Sequence, residues 1–99
     1  MQKFNAKKFR EIVDEKFPYI PEDAEKMIIN REATRPNAAA LSVESYGMLA
    51  LAAVAGYIRH KKTNYDALLG MNLTRDQAKN RVRVQVMEIE RRWGLQECF

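Results

Sequence analysis

His60 is the only histidine in this chain of 99 residues, and Arg59, Thr63, Tyr65 and Asp66 stand close to it in sequence. An imidazole held by a carboxylate is the arrangement of a general base. Arg59 or Tyr65 would then steady developing negative charge. A structural reading competes: His60 meets the carbonyls at a helix end, and Asp66 completes a capping box with Thr63. The sequence favours the structural reading, because it has no second histidine, no evident nucleophile and no glycine-rich phosphate loop. Of three functional readings, an enzyme built on His60, Tyr65 and Asp66 is therefore the least favoured. No cluster of His, Cys, Asp and Glu has metal-ligand spacing, and neither metal nor cofactor is expected.

The second kind of chemistry is electrostatic. The formal net charge is +4. Residues 1–50 carry eight Lys/Arg and eight Asp/Glu, whereas residues 51–99 carry nine against five, so the whole excess falls in the second half. Arg59, Lys61, Lys62, Arg75, Lys79 and Arg83 are the candidate contacts to DNA or RNA phosphates. The competing reading is solvated charge on an exposed face. Tyr65 and Trp93 are candidate base-stacking platforms, set against a role as packing anchors. A third reading is docking of a protein partner, or homodimerisation, on an apolar patch at Val84 and Met87.

Helices must position these residues. Asn5 caps a first helix that ends near Phe17, with Phe9, Ile12, Val13 and Phe17 on one stripe and Pro18 as the stop. Pro21 opens a second helix with Ala24, Met27 and Ile28 as its apolar face, and Arg35-Pro36-Asn37 breaks it. Ser42 caps a third helix over about 43–61. This helix is apolar nearly all round from Tyr46 to Ile58, then basic at Arg59-His60-Lys61-Lys62, and it reads as the hub of the core. Thr63–Asp66 starts a short fourth helix that Gly70 stops in the left-handed conformation. Thr74–Gln77 is a second capping box, opening a last helix that runs to about Trp93 and is closed by Gly94. Ala78, Val82, Val86, Ile89 and Trp93 form its buried seam. The expected fold is a single all-α domain over 1–99, a bundle of about five helices around the apolar one. The short fourth helix, the turn and the fifth also have a helix–turn–helix layout that would aim Arg75, Lys79 and Arg83 at a groove.

The stretch from Tyr57 to Leu69, followed by Thr74-Arg75-Asp76-Gln77-Ala78 and Trp93, resembles an uncharacterised bacterial and fungal family, domain of unknown function 2293. Its members show an apolar helix ending in Arg-His, then Thr-x-Tyr-Asp-x-Leu-Leu, then Arg-Asp-x-Ala and a closing tryptophan. The matching motif residues here are Arg59, His60, Thr63, Tyr65 and Asp66, and the likeness covers about Leu41 to Gly94. Members often carry a Gly- and Arg-rich stretch before the apolar helix, where this chain has Arg35-Pro36-Asn37-Ala38-Ala39-Ala40 without glycine. The resemblance implies a domain and no established activity.

Composition sets the outer bounds. The chain is 46% hydrophobic and 30% charged, which suits one globular domain. The five methionines read as fillers of irregular core gaps. The single cysteine, Cys98, has no internal disulfide partner. The basic start, Met1 to Lys8, lacks a following apolar run, and Gly47–Ile58 falls short of the roughly 20 residues that cross a bilayer. A cytoplasmic location without membrane contact is the expectation.

Overall fold

In the computed structural model, which describes residues 3–95, five α-helices enclose one core: α1 (Ala6–Lys16), α2 (Glu22–Ala33), α3 (Tyr46–Lys62), α4 (Tyr65–Gly70) and α5 (Arg75–Arg92). Two short 3-10 turns, Ala38–Ala40 and Val43–Ser45, link α2 to α3. No strand occurs among the described residues, and none of their helices is long and apolar enough to cross a membrane. Cys98 lies outside the described residues.

Local chemistry explains the boundaries. Asn5 Oδ1 accepts from the Lys8 backbone N–H at 3.0 Å, satisfying one of the donors left over at the start of α1. Phe9, Val13 and Phe17 follow at four-residue steps and are fully buried. Pro21, with φ −61°, stands just before α2, whose first turn holds Glu22, Asp23 and Glu25 at the positive end of the helix dipole. α5 starts with the full capping box. Thr74 Oγ1 accepts from the Gln77 N–H at 3.2 Å, and the Thr74 N–H donates to Gln77 Oε1 at 2.9 Å. It ends in a Schellman motif, with Leu95 N–H donating to Glu90 O and Gly94 N–H to Arg91 O, both at 3.0 Å.

Gly94 is required twice over. Its φ is +93°, and a Cβ there would stand 2.8 Å from Pro18 Cδ and Cγ, where the end of α5 leans on the α1–α2 link. Tyr19 N–H donates to Trp93 O at 3.0 Å across the same junction. Gly94→Ala is expected to cost about 2 kcal/mol and lower the melting temperature by roughly 10 °C. Gly70→Ala, with open space around its Cβ position, is expected to be neutral or slightly stabilising in the same melts.

α3 is the hub, packing on α1, α2, α4, α5 and the second 3-10 turn. Its buried stripe is Tyr46, Ala50, Val54 and Ile58, each fully buried aliphatic contributing about 1.5–3 kcal/mol. At the α1 end of the core, the Tyr46 ring meets Phe9 edge-on at 5.7 Å, and its hydroxyl accepts from the Asn5 N–H at 3.0 Å. The helix is not buried all round, however. Met48 is 81% exposed, and Leu51 and Ala52 also face outward. The four other helices leave part of its circumference uncovered.

Several sequence expectations need correcting. Ser42 makes no side-chain cap; α3 proper begins at Tyr46, after a 3-10 turn in which Ser45 Oγ donates to Ser42 O at 2.6 Å. Met27 on α2 is half exposed, and Glu25 and Glu32 lie on the buried side, 4% and 2% exposed. They are tolerated because Arg10 reaches Glu25 at 3.3 Å and Arg35 reaches Glu32 at 2.7 Å. Gly70 remains helical; the left-handed residue is Asn72, with φ 66°, and asparagine is among the few side chains that adopt this conformation readily.

Candidate nucleic-acid interface

The five motif residues are wired together where α3 passes into α4. Thr63 Oγ1 donates to the Arg59 carbonyl at the helix end and accepts from the Tyr65 N–H at 3.2 Å. A hydroxyl committed in this way does not reach the Asp66 N–H, so the expected Thr63–Asp66 capping box does not form. Asp66 instead accepts from His60 Nδ1 at 2.7 Å. A carboxylate can only accept, so Nδ1 carries the proton. The Tyr65 ring meets His60 edge-on at 5.2 Å, and the Arg59 guanidinium lies 5.9 Å from the centroid of the same ring.

His60, Tyr65 and Asp66 thus converge, which is the geometry an enzyme reading needs. The one hydroxyl beside them, Thr63 Oγ1, is engaged on both sides by backbone, and the Tyr65 ring is buried. The knuckle therefore has a clear structural task. It turns the chain out of α3 and holds Arg59 and His60 in fixed places. Among the described residues, no three His, Cys, Asp or Glu side chains are grouped to hold a metal ion.

Around this knuckle the cations gather. Arg59, Lys79 and Arg83 line one depression between α3 and α5, with Met87 and Glu90. Lys61, Lys62 and Arg92 line a second, with Glu88. Arg75 lines neither. It is exposed, one helical turn before Lys79, so Arg75, Lys79 and Arg83 follow at four-residue steps on one face of α5. Arg92, with Gln85, Glu88 and Ile89 at helical spacing, stands on the opposite side of α5 from Lys79 and Arg83. Sequence reasoning missed Arg31, Arg35 and Arg92.

Tyr65 and Trp93 are packing anchors. Both are buried, and Trp93 stacks obliquely on Tyr57 at 6.3 Å. α4 has only six residues, with Tyr65 and Leu68 buried. Val84 is 65% exposed, whereas Met87 is partly buried in the first depression.

Comparison with known proteins agrees with the motif. The profile of the family described as "Uncharacterized conserved protein (DUF2293)" matches residues 12–94. The match reaches well before Leu41, so the last turn of α1 and all of α2 belong to the family domain along with the later helices. No curated protein and no solved structure matches the chain. With the profile running from within α1 to the Gly94 stop, the chain belongs to the DUF2293 family of uncharacterized conserved proteins.

Proposed function

We propose that this domain is a nucleic-acid-associated module that holds DNA or RNA phosphates on the face shared by α5 and the end of α3. The observation that supports this reading is that Arg59 of α3 and Lys79 and Arg83 of α5 line one depression with Glu90, and Arg75 stands exposed one turn before Lys79 on the same face of α5, whereas Lys61, Lys62 and Arg92 line a separate depression on the opposite side of α5. The first group comes from two helices distant in sequence. Contacts of this kind fix a protein on a phosphate backbone and carry no sequence information. With the aromatic rings at Tyr65 and Trp93 buried, the reading needs no base stacking. Such a module would work in the cytoplasm, where nucleic acid is accessible.

The test is a binding titration with a fluorescent duplex at low salt. Lys79→Glu combined with Arg83→Glu, both exposed, is expected to weaken binding about tenfold or more. The salt slope should fall by about two, and the circular dichroism spectrum should not change. Undetectable binding by the unaltered protein would end this reading. Docking of a partner or a second copy at Val84 and Met87 stands second. The exposure of Val84 favours it, but Met87 lies among charged side chains.

A further inference from the structure

A groove of about 510 Å³ runs between α2 and α3. That volume falls within the roughly 300–1,000 Å³ of small-ligand sites. Its lining combines two chemistries: apolar surface from Met27, Ile28 and the ring of Tyr57, and the cations Arg31, Arg35, Arg59 and Lys61.

The charge there is only partly answered. Glu32 is the single carboxylate in the lining, and Arg35 holds it at 2.7 Å. Arg31 and Lys61 have no ion-pair partner among the described residues. The Nε of Arg59 is shielded from solvent and donates to nothing. A buried donor without an acceptor leaves Arg59 incompletely paired within the protein. Tyr65, beneath the guanidinium at 5.9 Å, limits how far Arg59 can swing away. Guanidinium forks suit phosphate oxygens, and a dianion suits a cation excess of this size better than a monocarboxylate does. Inorganic phosphate alone would leave the apolar surface uncovered.

We propose that the groove between α2 and α3 binds a phosphorylated small molecule of mononucleotide size, with its phosphate among Arg31, Arg35 and Arg59 and its planar group against Tyr57 and Met27. The groove shares Arg59 and Lys61 with the α5 depressions, but Arg31 and Arg35 line only the groove and Lys79 and Arg83 only the α5 side, so variants at those positions separate the two sites.

Calorimetric titration tests this with AMP, GMP, CMP and UMP, and with adenosine and inorganic phosphate as separate arms. At least one nucleotide is expected to bind at millimolar concentration or below, about tenfold or more tightly than either adenosine or phosphate. Arg31→Glu, at an exposed and unpaired position, should weaken that nucleotide about tenfold or more. The Lys79→Glu, Arg83→Glu protein should bind it unchanged while losing the duplex. No heat with any nucleotide, equal binding of inorganic phosphate, or indifference to Arg31→Glu would each overturn the assignment. The double variant losing nucleotide and duplex together would also overturn it, by showing one shared surface.

Discussion

Replacing Val54 with aspartate is expected to unfold the domain, whereas the same replacement at Met48, on the same helix, leaves it folded. Val54 is fully buried at the centre of the α3 stripe, and Met48 projects almost entirely into solvent. A domain of this size has about 5–15 kcal/mol of stability in total. An aspartate at Val54 forfeits about 1.5 kcal/mol of apolar burial. It then costs several kcal/mol more, whether it is buried charged or must first take up a proton. The aspartate at Met48 meets only water and should change stability by about 0.5 kcal/mol or less. Urea melts followed by circular dichroism read both. A cooperative transition near the original midpoint for Val54→Asp, with loss of structure for Met48→Asp, would mean that α3 faces the other way.

The unaltered protein should lose stability as pH rises from about 5 to 8, and Glu25→Gln should remove much of that loss. Burial is the main cause lifting the Glu25 carboxyl, reinforced by the neighbouring Asp14 and opposed by Arg10, and its pKa reaches about 7 against an ordinary 4.5. A carboxyl with a raised folded pKa binds its proton more tightly in the native state. Its contribution is therefore complete below about pH 4.5 and is lost as pH climbs through about 7. The loss is at most about 3 kcal/mol. Glutamine keeps the shape and the neutral form at every pH, so the variant should be the more stable protein at pH 8 and close to wild type at pH 5. Parallel stability curves for the two proteins across this range would refute the assignment.

How much of this was legible in the sequence follows from how local each signal is. Asn5 and Thr74 cap helices with their own side chains, and Gly94 terminates α5, because each acts on backbone within a few residues. The four-residue steps of Phe9, Val13 and Phe17, and of Ala78, Val82 and Val86, likewise define buried faces without help from elsewhere. Thr63 shows where this stops. Its hydroxyl was drawn to the Arg59 carbonyl behind it, and that left Asp66 for His60. The same applies to Glu25 and Glu32, whose burial no local signal marks and which Arg10 and Arg35 reach in the fold. The cationic face was half legible: Arg59, Lys79 and Arg83 were named from charge alone. The depression that joins Arg59 to Lys79 and Arg83, and the groove at Arg31 and Arg35, depend on how α2, α3 and α5 lie against one another. No periodicity within a single helix carries that information.

The most direct test of the proposed face is the slope of log binding constant against log salt concentration for the unaltered protein on a duplex. Arg59, Arg75, Lys79 and Arg83 engaging phosphates predict a slope of about −3.5. A slope indistinguishable from zero, or no measurable affinity at the lowest salt, would contradict it.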